Sequence, residues 1–109
     1  MRNAVEDLYT EDLRYLTPTL KLIEGRKALI DFFESIRALI AQVQVQPLYT
    51  WGDPERVIYQ FCNTERRSPG SGEISKAHYI AAFRQVDGDW LIEMEVPALG
   101  HIVGLPSAP

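Results

Sequence analysis

Residues 74–96 read ISKAHYIAAFRQVDGDWLIEMEV, two runs rich in strand-forming residues joined by Asp87-Gly88. An Asp-Gly pair between such runs is a strong signal for a two-residue hairpin turn, because that turn needs residues that tolerate positive φ. The pattern predicts a long strand over residues 74–86 and a last strand over residues 90–96. This hairpin is the starting point for the fold.

Two further turn signals precede the hairpin. Gly52-Asp53-Pro54 and Ser68-Pro69-Gly70-Ser71-Gly72 flank a β-rich run at residues 57–64. Before them, residues 43–51 carry apolar and aromatic side chains typical of a strand, with Pro47 at a bulge or edge position. Four strand-like runs separated by three turns predict a four-stranded antiparallel meander.

The N-terminal part of the sequence predicts helices. A short helix runs to about Thr10, and residues 13–23, interrupted by Pro18, predict two short strands. Gly25 opens a long helix whose apolar residues follow the 3, 4, 7 spacing of one helical stripe: Leu29, Phe32, Phe33, Ile36, Leu39, Ile40 and Val43. Helices followed by a meander predict an α+β fold, with the long helix packed on the sheet.

Composition narrows the class of protein. The chain has 109 residues, of which 46% are hydrophobic and 24% charged, which predicts a single globular domain over residues 1–109. The net charge of −4 argues against a nucleic-acid partner, and no apolar run is long enough for a membrane span. The polar start and the single Cys62 are typical of a cytoplasmic protein.

Three segments resemble a known family. They are residues 7–15, residues 17–29 around Thr17-Pro18-Thr19 and Glu24-Gly25-Arg26, and residues 86–95. On these residues the chain resembles SnoaL-like members of the nuclear transport factor 2-like superfamily, whose relatives include polyketide cyclases, ketosteroid isomerase and limonene epoxide hydrolase. The resemblance implies a cystatin-like cone, in which a curved antiparallel sheet wraps around helices. The first helix of the cone is short or missing here.

Two activities of that superfamily are not expected in this chain. Thr17 stands where ketosteroid isomerase has its aspartate base, and Ala81 where it has its oxyanion-binding acid. Cys62 and Thr64 stand where epoxide hydrolase has an arginine and a second aspartate. The resemblance therefore leaves a cofactor-independent isomerase, cyclase or hydratase as the class of enzyme that the chain could be.

Glu93 and Glu95 carry the candidate chemistry. Strand alternation predicts that they share one face with Leu91, and that the apolar side chains Trp90, Ile92, Met94 and Val96 share the other. If the apolar face is the core, both glutamates point into water. If the resemblance holds, they point into the cone and the apolar face meets a second subunit. Two carboxyls in an apolar cavity cannot both ionise cheaply, so the pKa of one would rise.

The resemblance then implies two alternative functions. In the first, a small, largely apolar molecule binds in the cone, with Glu95 as base and Glu93 or His78 assisting; its lining residues are Tyr15, Leu29, Phe33, Tyr79 and Phe83. The alternative is a non-catalytic dimeric interaction module that uses the sheet face with Trp90 and Met94. Both include a homodimer, neither needs a cofactor, and the histidines and Cys62 have no metal-ligand spacing. A histidine such as His78 can also lie exposed on a sheet face.

Overall fold

A computed structural model describes residues 4–37, 43–68 and 70–98. Its elements are α1 (Ala4–Leu8), β1 (Tyr9–Leu16), β2 (Leu22–Glu24), α2 (Arg26–Ser35), β3 (Val43–Asp53), β4 (Val57–Arg67), β5 (Ile74–Val86) and β6 (Asp89–Ala98). The strands form one curved sheet in the order β2-β1-β6-β5-β4-β3. The predicted α+β class is confirmed, and the first helix is short.

The predicted meander is confirmed as the larger part of this sheet. β3, β4, β5 and β6 pair antiparallel in sequence order. The prediction of four strands is nevertheless incomplete, because β1 adds to the edge of β6 in parallel and β2 pairs antiparallel with β1. A parallel pair between the two ends of a chain leaves no local signal, since no turn connects its strands.

The β1–β2 hairpin shows why the early proline is tolerated. The Thr17 amide donates to the Lys21 carbonyl oxygen at 2.9 Å, and the Lys21 amide donates to the Thr17 hydroxyl at 3.0 Å. Pro18 sits in the turn, where its missing amide proton costs no ladder bond. The predicted pair of short strands is confirmed, with β1 beginning earlier than expected, at Tyr9.

Helix α2 follows Gly25, whose φ of 86° is a conformation that favours glycine. The helix ends at Ser35, earlier than the predicted stripe, and Val43 instead pairs with Arg66 at the start of β3. The predicted positions Leu39 and Ile40 lie outside the described residues. Neither helix in the described part of the chain is long and apolar enough to cross a bilayer.

The core lies between the helices and one end of the sheet. Its buried residues are Val5, Tyr9, Leu13, Ile23 and Leu29, which come from both helices, β1 and β2. Helix α2 packs on β1, β2 and α1. We call the sheet face on which the helices pack the inner face, and the opposite one the outer face.

Candidate functional site

A β-bulge in β6 decides which side chains enter the inner face. Met94 pairs with Ala82 and Ile92 pairs with Phe83, so that Glu93 has no partner on β5. The extra residue interrupts the alternation of side chains. As a result Ile92, which packs on the core, and Glu95 share the inner face, whereas Met94 lies on the outer face.

The bulge separates the two glutamates that the sequence placed together. The Glu93 carboxylate contacts the Arg84 guanidinium at 3.4 Å, and Arg84 lies two residues from Ala82, the outer-face partner of Met94. The expectation that Glu93 and Glu95 share a face is therefore wrong. The expected grouping of Trp90 and Ile92 with Met94 is wrong for the same reason.

Glu95 lies on the inner face with only 8% of its surface exposed. On the sheet it lies between Tyr15 of β1 and Ala81 of β5. The Tyr9 hydroxyl donates a hydrogen bond to Glu95 Oε2 at 2.7 Å. Burial raises the pKa of Glu95 to about 7, and the Tyr9 bond opposes that rise. The cause is burial, not the second carboxyl.

Phenol and thiol groups surround this carboxyl. Burial first, and then the charge of Glu95, raise the pKa of Tyr15 to about 12 and also raise the pKa of Tyr9. The pKa of Tyr79 is raised by burial and by its hydrogen bond with Cys62. Burial likewise raises the pKa of the Cys62 thiol. These four groups are therefore neutral at physiological pH.

The structure separates the predicted ligand-binding residues into two groups. Tyr15 and Phe33 belong to an aromatic cluster with Tyr9 and Phe32, in which neighbouring ring centroids lie 5.6 to 6.4 Å apart. Tyr79 and Phe83 lie on the inner face of β5, where Tyr79 pairs with Cys62 and Phe83 pairs with Ile58.

Leu29 differs from the other predicted lining residues. It has 0% exposure and belongs to the core cluster. A side chain without exposed surface packs the core and offers nothing to a ligand. The expected lining role of Leu29 is therefore wrong.

His78 lies on the outer face. It pairs with Asn63 and Ala98, and its ring stacks on Phe61 with the centroids 5.4 Å apart. Its neighbour Tyr79 faces inward, so the sheet itself separates the imidazole from Glu95. The expected pairing of His78 with Glu95 is wrong, and the alternative of a histidine on a sheet face describes its position.

Two residues of the site had no functional signal in the sequence. Tyr9 lies in the stretch predicted as the first short helix, and Cys62 lies in the β-rich run at residues 57–64 without metal-ligand spacing. Only the parallel pairing of β1 with β6 brings the Tyr9 hydroxyl to Glu95, across 86 positions of sequence.

A cleft of about 430 Å³ lies elsewhere, at the junction of β1 with the β5–β6 hairpin. Its lining residues are Thr10, Glu11, Asp12, Arg26, Arg84, Val86 and Leu91. Both of its arginines already have partners, since Arg84 Nη2 lies 3.0 Å from Asp12 and Nη1 lies 3.4 Å from Glu93, and Arg26 donates to the carbonyl oxygen of Tyr9. The Thr10 hydroxyl and then Arg84 lower the pKa of Asp12. None of the predicted ligand residues lines this cleft.

No metal centre is visible in the described ranges, because nowhere in them do three His, Cys, Asp or Glu side chains come together. Around Glu95, the described titratable groups of the inner face are this carboxyl, whose pKa burial raises to about 7, three phenols and a thiol.

The family of the chain follows from its sequence. The sequence model of the SnoaL-like domain matches residues 2–92. The chain belongs to the SnoaL-like family. A comparison with curated proteins finds no match.

Solved structures share the fold of this SnoaL-like protein. A domain of unknown function with a cystatin-like fold from Nostoc punctiforme superposes with a TM-score of 0.75 at 14% identity, covering 89% of this chain and 64% of that one. A nuclear transport factor 2-like protein with a cystatin-like fold from Novosphingobium aromaticivorans gives 0.72 at 20% identity, with 88% and 67% covered.

A third structure, a nuclear transport factor 2-like protein of unknown function from Shewanella oneidensis, gives a TM-score of 0.68 at 8% identity, with 84% and 76% covered. At these identities the likeness shows the fold alone, and it confirms the predicted cystatin-like architecture.

Proposed function

We propose that this SnoaL-like protein binds a small, largely apolar molecule on the inner face of its sheet and that Glu95 moves a proton on that molecule. The observation that carries the proposal is a buried carboxyl, hydrogen-bonded by Tyr9 at 2.7 Å, whose pKa burial raises to about 7. The family commonly binds small molecules and includes isomerases and cyclases.

The site supplies a base whose pKa lies near a neutral working pH. A general base is most effective when its pKa lies near the working pH, because it is then both substantially ionised and basic enough to take a proton. Tyr9 holds one oxygen of Glu95, which leaves Oε1 to accept the proton.

Tyr15 and Tyr79 supply hydrogen-bond donors, which complement the base. Their raised pKa values keep both hydroxyls protonated, so they can donate hydrogen bonds to negative charge that develops on the substrate. Proton abstraction next to a carbonyl group, as in isomerisation or cyclisation, fits this set of groups and requires no cofactor. Glu93 and His78 have no part in it, because they lie on the outer face.

The test uses cyclohexanone in D₂O as a neutral, largely apolar probe. A base on the inner face exchanges the protons next to the carbonyl for deuterium, which proton NMR follows directly. We expect wild type to accelerate exchange, with a rate that rises with pH through about 7, and Glu95→Gln to return it to the background rate. Glu93→Gln makes the same chemical change two residues away and should retain the wild-type rate. Equal rates in Glu95→Gln and wild type would refute the proposal.

A second function rests on the outer face, where aromatic side chains are exposed. Tyr49, Trp51 and Tyr59 stack with centroid distances of 5.6 and 5.5 Å. Tyr49 is 44% exposed, Trp51 38% and Met94 40%. Such an exposed apolar surface favours association with another protein. The alternative is therefore a non-catalytic module that forms a homodimer sheet on sheet.

Sedimentation velocity over a range of concentrations tests this alternative. A homodimer through the outer face should dissociate in Trp51→Lys, because the new ammonium group would be buried at the interface. Trp90→Lys is the matched control, since Trp90 shares its side of β6 with Ile92. A monomer at all concentrations would remove the sheet-to-sheet interface.

A further inference from the structure

The Glu95 carboxyl has no cationic partner among the described residues. Its one hydrogen bond comes from the Tyr9 hydroxyl, and the titratable groups that face it are Tyr9 and Tyr15 from β1, Tyr79 from β5 and Cys62 from β4. All four are neutral when protonated and none can neutralise a carboxylate. A buried carboxylate normally requires such a partner.

The arginines near this part of the fold are engaged elsewhere. Arg26 donates through Nε and Nη2 to the carbonyl oxygen of Tyr9, at 3.1 and 2.9 Å. Arg84 pairs with Asp12 and with Glu93 at the outer side of the bulge. Neither arginine therefore supplies the countercharge of Glu95.

Aromatic rings stand beside the same carboxyl. Tyr15, the β1 neighbour of Glu95, lies 5.9 Å from Phe32 and 5.6 Å from Phe33 between ring centroids, and Tyr9 lies 6.4 Å from Phe33. Tyr15, Phe32 and Phe33 are only partly buried, so part of their ring surface stays accessible. Ring faces attract ammonium groups, most strongly where water is excluded.

A carboxylate without a countercharge next to partly exposed aromatic rings is suited to an organic cation. We propose that the molecule bound on the inner face is an apolar amine in its ammonium form, such as an alkyl- or cycloalkylammonium ion. The ammonium group contacts Glu95 and its hydrocarbon body lies on Tyr15, Phe32 and Phe33. The inference rests on the proposed binding at the inner face and specifies the class of ligand that binds there.

Binding of such a cation has a consequence for proton balance. The ammonium group keeps its proton, and any proton still on Glu95 goes to solvent, so that the bound state holds an ion pair. A bound cation thus lowers the pKa of Glu95 and keeps its carboxyl ionised. Affinity should rise with pH as Glu95 ionises, because below that range cation binding must first displace its proton.

Three ring-matched probes test the inference. Cyclohexylammonium, cyclohexanol and cyclohexanecarboxylate differ only in the polar group, and NMR titration of backbone amides at pH 8 gives both affinity and location. We expect cyclohexylammonium to bind at least about tenfold more tightly than cyclohexanol, with shifts at Tyr15 and Glu95. The carboxylate should bind most weakly. The preference for the cation should be lost in Glu95→Gln and retained in Glu93→Gln.

The outcomes separate the two proposals. If cyclohexanol binds at the inner face as tightly as cyclohexylammonium, the cation inference fails and binding of an apolar molecule stands. If the cation preference persists in Glu95→Gln, the charge lies elsewhere and the inference also fails. If no probe shifts the amides of the inner face, the inference and the proposed function fail together.

Discussion

At the scale of single residues, the balance between burial and hydrogen bonding at Glu95 sets the pKa of its carboxyl. Burial in the sheet disfavours the carboxylate, and one bond from Tyr9 compensates only in part, so the pKa of Glu95 stays near 7. Glu93, two positions away, has an arginine partner and is more exposed, and it is not part of this balance. Environment, not residue type, distinguishes the two glutamates.

Glu95 should make the stability of the fold decrease with rising pH. The folded state binds this proton more tightly than the unfolded chain, so the contribution is complete below pH 4.5 and is lost as pH rises through about 7. The rise in pKa corresponds to about 3 kcal/mol. Urea unfolding of wild type and Glu95→Gln from pH 4 to 8 should show this change in their difference. A difference independent of pH would contradict it.

Tyr9→Phe should destabilise the protein more at pH 8 than at pH 5. The lost hydrogen bond reaches a charged acceptor at pH 8, which is worth about 2 kcal/mol, and a mostly neutral one at pH 5, worth about 1 kcal/mol. Tyr15→Phe is the matched control, because no hydrogen bond to the Tyr15 hydroxyl is present in the described structure. Chemical denaturation at both pH values measures the losses, and equal losses for Tyr9→Phe would speak against a charged acceptor.

At the scale of elements, the turns and the bulge set the register that builds the site. The β3–β4 hairpin has Gly52 at φ 124°, where an added Cβ would collide with the Val57 carbonyl oxygen. The β5–β6 hairpin turns through Asp87 and Gly88, both at positive φ. These turns fix which residues oppose each other, and the bulge at Glu93 then sends Glu95 inward.

Gly52→Ala should cost more than about 2 kcal/mol, because both the backbone conformation and the Val57 carbonyl resist a side chain. Gly88→Ala should cost only about 1 kcal/mol, because Gly88 also has positive φ, at 87°, but faces open space. Thermal unfolding followed by circular dichroism ranks the two variants. Equal losses of stability in the two variants would show that the backbone around Gly52 and Val57 shifts to accommodate the new Cβ at no extra cost.

At the scale of the whole molecule, the β1–β6 pair joins two parts of the chain. One part contains the helices, β1 and β2, with the core around Leu29, and the other is the β3–β6 meander. The site lies at their junction, since Tyr9 and Tyr15 come from the first part and Glu95 from the second. The contact between Tyr9 and Glu95 therefore depends on this parallel pairing.

Amide hydrogen exchange should be slowest in β5 and β6 and fast along β3. β5 and β6 are central in the strand order, whereas β3 is an edge strand whose residues are mostly exposed. Native-state exchange with mass spectrometry resolves these segments. Protection of β3 equal to that of β5 would contradict the prediction and indicate that the edge is covered in solution.

Local sequence signals determined the elements. The turn at Asp87-Gly88 and the strand at Ile74–Val86 follow from residue conformational preferences and alternation, which act between near neighbours. The family resemblance added the cystatin-like architecture. The site was predictable only in its outline: Glu95 and Tyr15 have the expected inner-face position, but Glu93 and His78 do not.

The sequence by itself thus determined the kinds of elements, their order and the antiparallel pairing of those joined by short turns. Only the tertiary structure decided that β1 lies parallel to β6, that one bulge places Glu93 and Glu95 on opposite faces, and that Tyr9 reaches Glu95. The physical reason is the distance along the chain over which each kind of interaction acts. Turn and strand preferences act over a few residues, whereas the inner-face environment of Glu95 arises when distant segments pack together and exclude water.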